Sequence, residues 1–351
     1  MPLQTAVTHY YIYFMKKKDI EVIVSKELLN IVGHHLEICI TVKNEDNKTA
    51  PTAYGDMVEF MRGIITEKES AGQFRTAEAY RATLNCWLRF IDPEKAMPWK
   101  LVTSRSMTLF ADYLKKRGAT KNTQSFYFRI LRAVCNRARE TGEAELHDKL
   151  FDNVYTGKAR TRKRALPIED IRRIASAETK SEKEQLARDL FIFSFITRGM
   201  ALIDMAHLLK ANIAAGRLFY MRHKTGQAIS MEWIAEMQEI ATRYEHAGGD
   251  YLFPLISSDG AEGWRQFKRS SQMVNYHLRK LGKRLNMPMH LTLYVARHSW
   301  ATVAKSTGVP TALISEAMGH VSERMTQVYL GSIDVGRVDS ANREIVDLLY
   351  K

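Results

Sequence analysis

The sequence predicts a mainly α-helical protein with one small β-hairpin, built as a helical domain followed by a larger domain that carries the hairpin. Three observations predict it. Apolar residues recur at helical spacing from Thr52 to about Thr141, as in Met57, Phe60, Met61 and Ile64 and again in Tyr80, Leu84, Trp87 and Leu88. Five cations fall within the eight residues from Gly157 to Arg164, with no apolar period, and they separate this region from a second helical stretch. Within that stretch, two short strand-like runs flank a turn containing Gly226.

The chain has 351 residues, enough for two or three domains. A net charge of +13 with 45% hydrophobic residues points to a folded protein whose partner is polyanionic, with a merely basic soluble protein as the alternative on charge alone. Cys39, Cys86 and Cys135 are scattered and lack metal-ligand spacing, so they read as reduced core thiols, with neither metal nor cofactor expected. No apolar run approaches a bilayer span, and the N-terminus lacks the order of a signal peptide. A soluble cytoplasmic protein is expected. The sequence shows no internal repeat and no low-complexity tract.

Residues 1–50 carry β-branched and aromatic runs, His9 to Phe14 and Ile20 to Val24, split by Lys16, Lys17 and Lys18, and they predict strands. A polar link from Asn44 to Lys48 closes at Pro51. The first helical domain, residues 52–148, is interrupted by Pro93 and Pro98, resumes with Phe110, Tyr113 and Leu114, and ends in a stripe of Phe126, Ile130, Leu131 and Val134. Its other faces are basic, with Arg75, Arg81 and Arg89, then Lys115, Lys116, Arg117 and Lys121, then Arg129, Arg132, Arg137 and Arg139. A solvated face accounts for most of these; their clustering assigns some to nucleic-acid phosphates. Asn122, Thr123 and Gln124 are the polar residues to test for base contact. The linker, residues 149–166, contains Lys158, Arg160, Arg162, Lys163 and Arg164, which suit a duplex backbone.

The second domain, residues 167–334, opens with a helix start at Ile168 to Ile171. Leu186, Leu190, Phe191, Ile192, Phe193, Phe195 and Ile196 then mark a buried helix. Arg198 and Gly199 follow at once, and an arginine at the end of a core helix is costly to desolvate unless it meets an anion. Strands are predicted at Arg217 to Arg222 and Gln227 to Met231, with Lys224 at the tip between them and His223 and Arg222 as nearby alternatives to it. Trp233 to Tyr244 and Trp264 to Arg284 read as amphipathic helices, the second with Met273, Tyr276, Leu278 and Leu281 inward and Arg265, Lys268, Arg269, Arg279, Lys280, Lys283 and Arg284 outward.

From Leu291 to Ser332, polar groups crowd into an apolar helical frame. Thr292 is a plausible N-cap, and Val295, Ala296, Trp300 and Val303 form the stripe. Gly308 to Pro310 ends that helix. Leu313, Ile314, Ala317 and Met318 face inward on the next, and Gly319 stops it. Ser322 opens a third helix carrying Thr326 and Tyr329, so Arg297, His320 and Tyr329 are expected to converge. A last amphipathic helix, Val338 to Leu349, lies in the C-terminal segment 335–351.

Tyr294-x-x-Arg297, Gly319-His320 and Tyr329, nine positions after His320, resemble the tyrosine recombinase (phage integrase) family. That family carries H-x-x-R, a Gly-His pair and a nucleophilic Tyr. Tyr294 departs from it, standing where His is usual. The resemblance implies a core-binding SAM-like domain and a catalytic domain forming a C-shaped DNA clamp, and it makes Arg198, with Asp204 and Leu208 downstream, the first catalytic arginine and Lys224 the catalytic lysine. It further implies strand cleavage through a 3′-phosphotyrosyl link without ATP or metal, to integrate, excise or invert a DNA element of bacterial mobile type. Double-stranded DNA with paired sites is the implied substrate, with a synaptic tetramer and room for an accessory DNA-bending protein. The helix Val338 to Leu349 is then a candidate contact with another protomer, and packing on its own domain is the alternative. With Tyr294 in place of His, slower chemistry is expected rather than none, and His298 is a candidate substitute. A type IB topoisomerase and a DNA-binding relative with weakened chemistry are the alternatives.

Overall fold

The computed structural model describes residues 55–91, 97–159 and 164–319. The chain divides into two units, Met1–Thr52 and Ala53–Lys351, and every described residue belongs to the second. The predicted N-terminal strands, the C-terminal helix, Arg160, Arg162, Lys163, His320 and Tyr329 all lie outside the described residues.

The first domain holds four helices, α1 (Met57–Ser70), α2 (Phe74–Ile91), α3 (Ser104–Lys116) and α4 (Lys121–Glu140). Each start that the sequence punctuates is capped. The Asp56 carboxylate accepts from the Glu59 amide at 2.9 Å, Thr103 and Ser106 form a reciprocal capping box, and the Thr120 hydroxyl accepts from the Thr123 amide. Trp87, Phe110 and Phe128 are fully buried and meet edge to face, with ring centroids 4.8 Å and 5.7 Å apart around Phe110.

One expected stripe holds in part. Leu131 and Val134 are buried and Ile130 packs against the core, but Phe126 is exposed, because the buried face of α4 runs on through Gln124, Ser125 and Phe128 and leaves Phe126 to the side. The polar start of α4 therefore does structural work. Buried Gln124 donates to the Ala119 carbonyl at 2.8 Å, and Asn122 both donates to and accepts from the backbone of Ala159. The Ser125 hydroxyl donates to the Gly157 carbonyl, so α4 grips the chain leading into the basic linker.

Several cations of the basic faces are likewise engaged within the protein. Arg137 pairs with Glu67 and holds its carboxyl below the usual range, and Arg81 pairs with Glu69 at 2.5 Å. Arg139 donates to the carbonyls of Leu146 and His147, and Lys121 lies over the Tyr155 ring. Lys115 is exposed beside Asp112, while Lys116, Arg129, Lys158 and Arg164 are exposed.

In the second domain, α5 (Ile168–Ala175) leads to α6 (Glu182–Ile196), against which α9 (Gly260–Arg284) and α10 (Leu293–Ser306) pack. Between them come α7 (Leu202–Ala206), β1 (Ile213–Ala214), β2 (Arg217–Met221), β3 (Ala228–Glu232) and α8 (Ala235–Thr242), and α11 (Thr311–Ala317) follows. The strands form an antiparallel sheet in the order β1-β2-β3 with Leu218 opposite Met231 and Tyr220 opposite Ile229. Leu218, Ile229 and Met231 face the core on alternating positions. The two-residue β1 was too short to carry a period.

Two aromatic and apolar expectations fail on this domain. Tyr276 and Leu313 are exposed, because Val274, Leu278 and Leu281 fill the inner face of α9 and Ile314 and Met318 that of α11. Thr292 sits at the N-cap of α10 without a side-chain bond; Asn275 from α9 accepts the Leu293 amide instead. Of the α9 cations expected outward, Arg284 pairs with Glu184, and Lys268 pairs with Glu78 on α2.

That last pair belongs to a clasp between the domains. The Trp264 indole N–H donates to Glu78 at 3.2 Å, Lys268 meets the same carboxylate at 2.5 Å, and the Phe74 ring stacks on Trp264. A carboxylate shared by an indole and an ammonium cannot be replaced by a cation without repulsion. Glu78→Lys is expected to separate the helices, seen as lower energy transfer between dyes on α2 and α9 in the DNA-free protein. Unchanged transfer would show that the clasp does not hold the domains together.

Candidate active site

Helix α6 ends in a Schellman motif. The Gly199 amide donates to the Ser194 carbonyl at 2.7 Å and the Arg198 amide to that of Phe195 at 3.2 Å, which closes the last turn. The residue between such bonds adopts the left-handed conformation and is usually Gly, yet here it is Arg198, at φ 61°. A side chain in that region costs about 1–2 kcal/mol over Gly. The half-buried Arg198 guanidinium forms neither a hydrogen bond nor an ion pair among the described residues, and the structure makes no Arg198–Asp204 pair. The chain thus places a strained, unengaged cation at the mouth of a core helix.

Arg297, on α10, is 5% exposed and reaches the same turn. Its Nη1 donates to the Gly199 carbonyl at 2.5 Å and its Nη2 to the Met318 carbonyl at 2.8 Å. These bonds set the plane of the guanidinium and join the end of α6 to the end of α11. The approach is close enough that a Cβ on Gly199 would lie 2.6 Å from Arg297 Cγ.

The hairpin docks on the same place. Lys224 is exposed at the turn, as expected, while Arg222 is 6% exposed and donates to the Gly319 carbonyl, so it is a packed residue and no alternative to Lys224. The His223 amide donates to buried Asp204 at 2.8 Å, and its ring stacks on His207 with centroids 4.9 Å apart. Burial raises the Asp204 carboxyl above its usual range, opposed by the His223 amide and the charges of Arg222 and Arg297. Burial, then the neighbouring His207, lowers the His223 imidazole.

Sequence reasoning passed over Tyr220. Burial and Asp204 push its phenol well above the usual range against the charges of Arg297, Arg222 and Arg198, so it stays protonated and is a poor nucleophile. Arg297 and Arg222 bond the carbonyls of Gly199, Met318 and Gly319, and the His223 amide bonds Asp204, so the end of α6, the end of α11 and the hairpin meet. Tyr294, one turn before Arg297, is 52% exposed, and its ring meets that of His298 edge to face at 4.5 Å. Arg198, Arg297 and the base of the Lys224 turn are therefore brought together, Tyr294 lies on the exposed side of α10, and the expected convergence with His320 and Tyr329 falls outside the described residues. Among the described residues, no group of three or more His, Cys, Asp and Glu side chains is placed to hold a metal ion, and no helix is long and apolar enough to cross a membrane.

Two family models match in tandem, the phage integrase SAM-like domain over residues 56–149 and the phage integrase family over residues 166–334. The chain belongs to the tyrosine recombinase family. Within it, the chain is 30% identical over 169 residues to a tyrosine recombinase XerA from Thermococcus onnurineus, a match covering 47% of this chain and 57% of that protein. It is 23% identical over 179 residues to a XerC from Bradyrhizobium diazoefficiens, covering 49% and 56%. The matches span little more than half the length of these relatives. Among solved structures, the Tn1549 transposon integrase in complex with a circular intermediate DNA shares the fold at a TM-score of 0.62 and 15% identity, over 83% of this chain and 99% of that one. A λ integrase dimer bound to a core site gives 0.58 and 15%, over 76% and 96%. The recombinase fold, mainly helical with a small antiparallel sheet and a helical domain ahead of the catalytic one, is as the sequence predicted.

Proposed function

We propose that the protein is a site-specific DNA recombinase that cuts and rejoins duplex DNA through a 3′-phosphotyrosyl intermediate. The observation that carries this is Arg198, an unengaged guanidinium held in a glycine conformation beside buried Arg297. Two fixed cations at one point favour a phosphodiester, whose transition state gathers charge on its non-bridging oxygens. Arg198 offers the planar fork for those oxygens. Arg297 adds positive charge and fixes the Gly199 turn that carries Arg198.

In this reading the Tyr329 hydroxyl oxygen bonds to phosphorus, the bond from phosphorus to the 5′ oxygen breaks, and the phenol proton leaves to a base. Lys224 protonates the departing 5′ oxygen. His320 donates a hydrogen bond to the phosphate, and Tyr294, exposed at the start of α10, is a further donor. Attack by a 5′-hydroxyl of another strand reverses these bonds and releases Tyr329, so no ATP is needed. The domain order, residues 52–148 for duplex binding and 167–334 for catalysis around the basic linker 149–166, suits a clamp on DNA. Lys115, Lys116, Arg129, Lys158 and Arg164, exposed in the structure, are its phosphate contacts. Paired recombination sites imply self-association, and the λ integrase has been seen as a tetramer bound to a Holliday junction. A DNA-bending accessory protein and residence on the nucleoid fit the same reading.

The test is a nicked duplex carrying the end sequences of the surrounding DNA element, incubated with wild type and Tyr329→Phe and resolved on a denaturing gel. Wild type is expected to give a covalent protein–DNA adduct, and Tyr329→Phe none. Bound DNA without adduct in wild type would sink the recombinase reading and leave a DNA-binding protein.

A further inference from the structure

We infer that Arg222 is a positioning residue that locks the Lys224 turn to the carbonyl of Gly319, so that the place of Lys224 is set by the end of α11. The inference rests on the recombinase reading for its catalytic consequence. Its geometry stands on the hairpin itself.

The backbone of Arg222 closes the turn that presents Lys224. Its carbonyl accepts from the amides of Thr225 at 3.2 Å and Gly226 at 2.8 Å, and its own amide donates to the Gln227 carbonyl at 2.8 Å. Its side chain runs the other way, is buried, and donates through Nη1 to the Gly319 carbonyl. Arg297 donates to the preceding carbonyl, Met318. Two arginines from two different elements thus hold successive carbonyls at the end of α11, next to His320 in the sequence. Gly319 is pressed onto the hairpin, at φ 62°, where a Cβ would lie 2.8 Å from Ile229 Cδ1 and 3.1 Å from Arg222 Cδ.

Burying a guanidinium for packing alone is unfavourable, since an apolar side chain of similar size fills the space at lower cost. A charged donor to a carbonyl has a directional return instead, a bond stronger than a neutral one. Asp204 offsets the charge and holds the neighbouring His223 amide, so the turn is anchored on α7 as well as on α11. Lys224 is exposed and has no such anchor among the described residues. Its placement is inherited from the residues at the base of the turn.

The experiment compares single-turnover adduct formation on the nicked duplex for wild type, Arg222→Gln, Arg222→Lys, Lys224→Ala and the Arg222→Gln/Lys224→Ala double variant. Displacing a general acid by about 1 Å costs about a hundredfold in rate. Arg222→Gln is expected to lose about that much with DNA affinity unchanged, and Arg222→Lys, which keeps one charged donor, to recover part of it. If Arg222 acts through Lys224, the double variant is about as slow as Lys224→Ala alone. Losses that multiply, or a full rate in Arg222→Gln, overturn the inference. Amide exchange on the same proteins separates it from the reaction: Arg222→Gln is expected to speed exchange at Thr225, Gly226 and Gly319 together. Faster exchange at Thr225 and Gly226 with Gly319 still protected overturns the coupling, whether or not the wild type cleaves DNA. Should Arg222→Gln not fold, Arg222→Lys carries both measurements, with smaller changes in the same directions.

Discussion

Arg198→Gly is expected to give a protein that is more stable than wild type and almost inactive. The backbone at this position lies at φ 61°, with the two bonds of a Schellman motif around it, a setting in which Gly is the unstrained residue. Relief of the left-handed strain is about 1–2 kcal/mol, offset in part by the greater freedom of Gly in the unfolded chain. Because the Arg198 side chain makes no hydrogen bond or ion pair among the described residues, its removal forfeits little. A net gain of about 1 kcal/mol should appear as a higher urea midpoint at unchanged slope. Adduct formation should fall by about 10²–10³-fold, the usual consequence of removing one fixed donor at a developing anion. Arg198→Ala is the control, since it deletes the cation but keeps the strain. A loss of stability in Arg198→Gly would mean that the arginine packs rather than waits for an anion.

The opposition between strain and use at Arg198 also shows what sequence can convey. That an arginine and a glycine end an apolar core helix was legible, because both the helix and its stop are written in residue types. The partners of that turn were not. Arg297 and Arg222 meet the backbone carbonyls of Gly199, Met318 and Gly319, and a carbonyl leaves no mark in sequence. Arg222 and Lys224 are both hairpin cations in one dimension; burial alone tells them apart, and it depends on α11 lying across the hairpin. The same reason displaced Phe126. A helix of twenty residues has apolar groups on more than one face, and periodicity cannot say which face the neighbours cover. Gln124 and Asn122 looked free for bases because their partners, Ala119 and Ala159, again offer only backbone.

Gly199→Ala tests the other side of that turn, and the expected result is a loss of both stability and cleavage. The position has φ 81°, so any side chain carries left-handed strain of about 1–2 kcal/mol. The new Cβ would also sit 2.6 Å from Arg297 Cγ and 3.0 Å from Arg297 Cα. Cγ is a flexible atom, but Cα is backbone in α10, so the clash is relieved only by moving the helix or the turn. Overpacking of this kind costs about 1–3 kcal/mol, giving about 2–5 kcal/mol in all. Either movement pulls Arg297 from the Gly199 and Met318 carbonyls, and the proposed phosphate site opens with it. Cleavage should then drop by about a hundredfold, although the substituted atom touches neither nucleophile nor DNA. Gly72→Ala isolates the clash: Gly72 has φ 70° but, among the described residues, nothing within 4 Å of its would-be Cβ, so it should show the backbone cost alone and retain cleavage. Equal destabilisation in the two variants would mean that the contact with Arg297 yields freely, and that the two arginines are not held as one rigid pair.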